Sequence, residues 1–247
     1  WSLSTRFNLY ANAGSSYAPP GLKSTSGTIR MVDYKLPGFN GQLPNSELLP
    51  ERGIGIDVGA EGRINKNLYT GLRAFYFLVN NAIVDVVISQ NPSQSQSINA
   101  QTSSMGGEAE IRHKAGDWFS WFANATYMLT NIENDSNANQ SGVEVPFAPE
   151  FIFNCGFDLQ TPFGLSAVPS LNYNAGFYDA TSRTDRLLYT PGVVINAYVA
   201  QRLVRREHFE LDAFLQAYNI TNNQYLMPWQ FQNTGFSLMA GLKLSIL

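Results

Sequence analysis

Apolar and polar residues alternate with a period of two along ten stretches of this chain, and that alternation is its strongest signal. From Leu165 to Phe177 one parity reads Leu165, Ala167, Pro169, Leu171, Tyr173, Ala175 and Phe177, while the other is mostly Ser, Asn and Gly. Successive side chains on a strand point to opposite faces, so such a stretch has one greasy and one wet face. The pattern predicts strands at about 1–12, 53–64, 67–80, 104–114, 118–131, 150–161, 164–178, 191–203, 208–219 and 235–247. Charges fall almost wholly on the polar parity: Asp57, Glu61 and Arg63 oppose Ile56, Val58 and Ala60, and Glu210 and Asp212 oppose Phe209, Leu211 and Ala213. A charge facing lipid at mid-membrane costs about 2–4 kcal/mol, so a bilayer enforces this sorting. The weakest stretch is 104–114, where Glu108, Glu110, Arg112 and Lys114 share one parity over a thin apolar face of Ala109, Ile111 and His113.

The connections alternate in length. Short ones fall near Asn65–Lys66, Ala115–Asp117, Thr161–Pro162 and Val204–Glu207; long ones run over about 13–52, 81–103, 132–149, 179–190 and 220–234. Outer-membrane barrels have short periplasmic turns and longer extracellular loops. The pattern therefore predicts an all-β, transmembrane antiparallel β-barrel fold of about ten strands in this chain, with the last strand running inward. A soluble β-sandwich shares the local alternation but not the strict alternation of loop lengths. The long loops are rich in Asn, Ser, Gln, Gly and Pro, and their tips are expected to be mobile. Within the first, Thr28–Leu36 reads as an extra strand of a hairpin arm above the membrane, and Phe75–Ile88 is apolar enough for the third strand to run past the bilayer.

Charged residues are only 14% of the chain, against about 25% in ordinary soluble domains. A net charge of −3 argues against nucleic-acid binding. Aromatics are 13% and cluster near strand ends, as interfacial girdles do. No run of 18 apolar residues is present to form a helical span. The single Cys155 has no partner for an internal disulfide and sits on an apolar parity. The chain opens at Trp1 already in alternation, with no secretory signal, which predicts a fragment.

Candidate chemistry is sparse. His113 and His208 lie far apart, so no metal centre and no cofactor are expected. No nucleophile elbow, P-loop or dinucleotide fingerprint occurs in a matching context, so no catalytic residues are assigned and the protein is not expected to be an enzyme. Gly53, Gly55, Gly106 and Gly107 read as plain strand glycines. Asp57, Glu61, Arg63, Arg73, Glu108, Glu110 and Arg112, with Lys114, form a charge ladder facing the lumen. The best ligand candidates lie on the outer rim, in Tyr178, Arg183, Asp185 and Arg186, with Trp229 and Phe231 adding stacking area. Arginine suits an anionic ligand because its guanidinium meets carboxylates bidentately.

Several motifs carry a more specific likeness. Leu48-Leu49-Pro50-Glu51, followed by Gly55, Asp57, Gly59 and Glu61, resembles the L-x-P-E element before a late strand of TonB-dependent outer-membrane receptors. Leu9-Tyr10-Ala11-Asn12 with Tyr17-Ala18-Pro19, Gly107-Glu108-Ala109-Glu110-Ile111 and Val145-Pro146-Phe147-Ala148-Pro149 resemble other strands of that family and the approaches to them. Pro191-Gly192-Val193-Val194-Ile195-Asn196 and Tyr218-Asn219-Ile220-Thr221-Asn222-Asn223-Gln224-Tyr225 resemble two of the last strand boundaries. The resemblance implies that residues 1–247 are the C-terminal part of a 22-stranded outer-membrane barrel whose plug domain is not in this chain. It implies TonB-dependent uptake of a scarce ligand such as a ferric siderophore or other metal chelate. The rim loops would capture that ligand and the charge ladder would pack against the plug, with the TonB complex engaged through an N-terminal part and outer-membrane lipid outside. The C-terminus departs from the family, with Ile246 where an aromatic is usual. The alternative is a self-contained ten-stranded barrel, an adhesin or binding protein or an omptin-like protease. The protease needs His–Asp and acidic groups at the rim, whereas both histidines map to the opposite end.

Overall fold

The computed structural model describes residues 1, 4–135, 137–228, 231 and 233–246. Its strands are β1 (Phe7–Ala18), β2 (Gly41–Leu43), β3 (Glu51–Asn65), β4 (Leu68–Ser89), β5 (Gln94–Lys114), β6 (Phe119–Glu133) and β7 (Phe151–Gln160). They continue with β8 (Leu165–Asn174), β9 (Phe177–Tyr178), β10 (Leu188–Tyr189), β11 (Gly192–Arg205), β12 (Phe209–Tyr218) and β13 (Ser237–Ile246). Ten of them form one antiparallel meander in the order β1-β3-β4-β5-β6-β7-β8-β11-β12-β13. β1 and β13 have one neighbour each among the described residues, so the sheet is open at both sides.

The register sorts the two faces. Opposite Asn12 stands Asp57, opposite Arg73 stands Glu108, and opposite Asp212 stands Lys243, all on one face. On the other face Ile54, Ile56, Val58, Leu72, Tyr76, Met105, Leu215, Leu242 and Leu244 are each more than a third exposed. A soluble protein does not leave a continuous apolar sheet face bare, whereas lipid requires one. The buried apolar side chains are few. Ala100, Ile132 and Val143, with Val84 and Val145 packed on them, form a small core at the long-loop end of the sheet, above the alternating region.

Nine of the ten expected strands agree to within a few residues at one end or both, and three expectations are corrected. β1 runs Phe7–Ala18 rather than 1–12, because its partner β3 begins at Glu51 and the pairing continues through Ser15–Ile54 and Ser16–Gly53. Gly14, Ser15 and Ser16 carry no apolar signal to announce that extension, and Ser2 and Leu3 of the expected strand lie outside the described residues. The expected loop 81–103 is mostly a continuation of β4 and β5 as a hairpin arm, which agrees with the apolar run Phe75–Ile88. A bulge between Val79 and Ala82, with Asn81 at φ 56°, marks where the arm leaves the wall. Thr28–Leu36 is not a strand: it holds a 3₁₀ turn at Met31–Asp33, in which Asp33 and Arg30 cap each other, after the short helix α1 (Leu22–Ser26). The extra strand in that loop is β2, parallel to Gln94–Gln96 of the arm.

Glycines that read as incidental have a task. On the polar face Tyr10 stands opposite Gly59, Phe77 opposite Gly55, Phe75 opposite Gly106, Phe122 opposite Gly156 and Phe214 opposite Gly241. In each pair the ring lies over the glycine, within 3 Å of where a Cβ would sit. The missing side chain lets the ring lie flat, so large aromatics do not project from the wall. Gly106→Ala is therefore expected to destabilise the barrel by about 1–3 kcal/mol, since its Cβ would run into the Tyr127 carbonyl oxygen and meet Phe75 at 2.7 Å. Gly107→Ala, whose Cβ would meet nothing closer than 3.5 Å, is expected to be tolerated. The unfolding temperature of the intact protein on heat-shift gels checks both.

Candidate functional site

The charged wall is built by three neighbouring strands. Tyr69, Gly71 and Arg73 on β4 stand between Arg63, Glu61 and Gly59 on β3 and Arg112, Glu110 and Glu108 on β5. Arg73 bridges two carboxylates, with nitrogens 3.3 Å from Asp57 and 3.3 Å from Glu108. Arg112 pairs with Glu110, the Tyr69 hydroxyl donates to Glu61 at 3.0 Å, and Asn12 donates to Asp57 at 3.0 Å. All seven residues expected on the lumen wall thus share one face, and six of them are held in three adjoining groups: Arg73 with Asp57 and Glu108, Tyr69 with Glu61, and Arg112 with Glu110. Arg63 stands level with Tyr69 and Arg112.

Beyond β5 the charges of the same face, Asp158, Arg202, Glu210, Asp212 and Lys243, stand towards the short-turn end, and nearer the long loops it is lined by amides. Asn154 donates its amide to Asn124 at 2.9 Å, Asn172 to Asn154 at 2.7 Å and Asn196 to Asn172 at 3.3 Å. The Asn219 backbone N–H, just past β12, closes the row on Asn196 Oδ1 at 3.0 Å. The four asparagines sit on the polar parity of four consecutive strands in the sheet. Their parity is visible in the sequence, but the register that joins them is not.

The long-loop end is wired together. Gln94, 2% exposed, donates to the Asp33 and Phe39 carbonyls and accepts from the Lys35 N–H. Ser97, fully buried, donates to Asp85 at 2.6 Å, and Gln42 donates to both. These contacts tie the first loop to the β4–β5 arm. Thr181 donates to the Asp85 carbonyl, Gln140 to Thr181 and Asn139 to Ser182, which tie in the loops around 132–149 and 179–190.

Of the expected ligand residues, the structure joins Tyr178 and Arg186 and adds a partner that charge spacing alone did not suggest. The Arg186 guanidinium lies 3.6 Å over the Tyr178 ring and is ion-paired with Glu144. Burial pushes the Glu144 carboxyl up, but its own backbone N–H and the Arg186 guanidinium outweigh this and hold it below the usual range. Arg183 donates from its side chain to the Ser141 carbonyl and from its backbone to Asn139. Asp185 is exposed beside Thr184. Phe231, 65% exposed, lies on a separate loop held by Asn223 against the start of β11, and Trp229 lies outside the described residues.

Because the Glu144 pKa is lowered on folding, its pairing supports the loop contact above the unfolded carboxylate range and is lost as pH falls through the folded value. Amide-exchange protection over 139–147 and 179–189 is expected to persist through the ordinary carboxylate range and to fall only at more acid pH. In Glu144→Gln the protection is expected to be low at neutral pH and to lack that acid step.

None of the curated proteins matches the chain. Its fold is similar to that of the ferric-catecholate import receptor Fiu from E. coli K12, with a TM-score of 0.71 at 15% identity over 100% of this chain and 34% of that one. It is similar to the ferric yersiniabactin uptake receptor FyuA from Yersinia pestis, with a TM-score of 0.68 at 15% identity over 99% and 35%. The ferric citrate transporter FecA, in its unliganded form, gives 0.73 at 15% over 99% and 37%. The chain thus spans about a third of the length of these solved relatives. Residues 1–221 match the family model described as TonB dependent receptor-like, beta-barrel, whose barrels are bacterial outer-membrane proteins and transport receptors, not enzymes. With one apolar sheet face, a charged and amide-lined face opposite it and long loops gathered at one end, the chain belongs to the TonB-dependent receptor β-barrel family.

Proposed function

We propose that residues 1–247 are the C-terminal part of the barrel of a receptor that imports a scarce, oxygen-rich metal chelate, such as a ferric siderophore, in a TonB-dependent step. The observation that carries this reading is a polar wall of fixed ion pairs and amides beneath three long loops already hydrogen-bonded to the β4–β5 arm and to one another. A transport lumen needs such a wall, and ligand capture benefits when loop-ordering entropy is spent before binding. The solved relatives named for ferric-catecholate, ferric yersiniabactin and ferric citrate transport support the ligand class.

In this reading Arg183, Asp185, Phe231 and Trp229 offer the ligand contacts, while Tyr178 and Arg186, locked with Glu144, hold the loop that presents them. Asp57, Glu61, Arg63, Arg73, Glu108, Glu110 and Arg112 meet a plug domain, through which the TonB complex acts. Uptake of ⁵⁵Fe-labelled ferric citrate, ferric enterobactin and ferric yersiniabactin tests it in iron-starved cells with and without the intact gene. Gene-dependent uptake that collapses in a strain lacking TonB is expected. Uptake independent of the gene for all three chelates would overturn the ligand class, and gene-dependent uptake that survives loss of TonB would overturn the coupling.

A further inference from the structure

The asparagine row lies apart from the charged groups of β3–β5 and from the contacts that join the loops 13–52, 132–149 and 179–190. It begins at Asn219, 1% exposed and in a left-handed turn at φ 50°, at the base of the last loop. It ends at Asn124, directly opposite Glu110 of the charged patch. A side-chain amide has two N–H donors and an oxygen with two lone pairs. Asn154 and Asn172 each use one donor and one lone pair within the row, so each keeps one of both for a visitor. Adjacent strands lie about 4.8 Å apart, so equivalent free amide groups recur at about that spacing.

Along their own strands the amides have uncharged neighbours on the same face: Phe122 and Thr126 on β6, Ile152 and Gly156 on β7, Ser170 and Asn174 on β8, and Val194 and Tyr198 on β11, with Asp158 two steps from Asn154 towards the short-turn end. Phe122, the large ring nearest it on β6, is laid flat over Gly156. Passage along a wall requires sites that bind well enough to admit a solute, yet weakly and repeatedly enough to release it. A fixed arginine holds an anionic chelate too firmly for that, and a carboxylate repels it. A row of neutral amides meets the requirement.

We propose that the row Asn196–Asn172–Asn154–Asn124 is the track by which an anionic, oxygen-rich chelate descends the lumen wall from the rim. The proposal rests on the transport reading above and deepens it by separating the wall into an ion-paired sector that is held and an amide sector that is traversed. The ladder bonds keep the amides upright and in register, and the free N–H groups donate to the ligand oxygens in turn.

The test uses the intact protein in cells, with the same three ferric chelates, and measures surface binding in energy-depleted cells separately from uptake. The double variant Asn154→Leu/Asn172→Leu removes two free donors and is expected to bind its chelate with unchanged affinity and import it about tenfold more slowly. Asn154→Asp, close to isosteric, guards against misfolding of the double variant and is expected to slow uptake of an anionic chelate at unchanged surface binding. A merely structural role would lower the unfolding temperature and surface binding together. Wild-type uptake rates in both variants, or losses that track unfolding temperature, would overturn the track and leave the receptor reading standing. Failure of the wild-type protein to bind or import any of the three chelates would overturn both.

Discussion

Residues 1–247 expressed alone are expected to give no heat-shifting, protease-resistant monomer in detergent or lipid. β1 presents twelve residues and β13 ten along edges that pair with no further strand among the described residues, where only Leu9 is bonded back to Trp1. In water such edges hydrogen-bond to solvent. In hydrocarbon each unsatisfied N–H or C=O costs several kcal/mol, and irregular or open edges do not persist there. About half of the backbone groups on each edge strand point away from the sheet, so the total cost far exceeds the 5–15 kcal/mol of a typical folding free energy. The chain alone should aggregate or associate edge to edge. Refolding into detergent, followed by electrophoresis with and without boiling, checks this. A band near 27.4 kDa whose mobility shifts on boiling would mean that β1 and β13 close on each other, and the self-contained ten-stranded barrel would replace the larger one.

Much of this fold was legible because the bilayer imposes a strict rule on each residue. In β8 and β13 every second side chain must be apolar, and the strand limits follow to within a few residues. The rule lapses at the long-loop end, and there the reading fails. Ser15 and Ser16 extend β1, and the serine- and glutamine-rich run 94–103 extends β5, through backbone pairing and amide side chains that carry no periodic signal. Thr28–Leu36 looks strand-like by composition, but the Arg30–Asp33 capping interaction settles it as a turn. The same division holds for the site. Parity alone brought Asp57, Arg73 and Glu108 to one face. The pairing of Arg186 with Glu144, the asparagine row and the ring-over-glycine pairs all depend on register between strands or loops, which no single stretch encodes.

The sharpest check on the faces is a pair of lysines one residue apart. Ala125 stands between Ala109 and Phe153 on the apolar face, and Thr126 stands opposite Glu108 on the polar one. Ala125→Lys places an ammonium against hydrocarbon, where cations cost about 2–4 kcal/mol near the midplane. Snorkelling relieves the penalty only near an interface, and Ala125 lies six residues inside the short-turn end of β6, which starts at Phe119. Thr126→Lys instead places the same group beside Glu108, which shares the single Arg73 with Asp57. An ammonium there adds an attraction for Glu108 in a wet, partly exposed setting, worth no more than about 1 kcal/mol. Ala125→Lys is expected to lower the folded yield and unfolding temperature of the intact protein severely, and Thr126→Lys to leave both near wild type. The reverse result would turn the sheet inside out, putting the charged patch and the asparagine row against lipid, where neither the plug contact nor the chelate track has any physical basis.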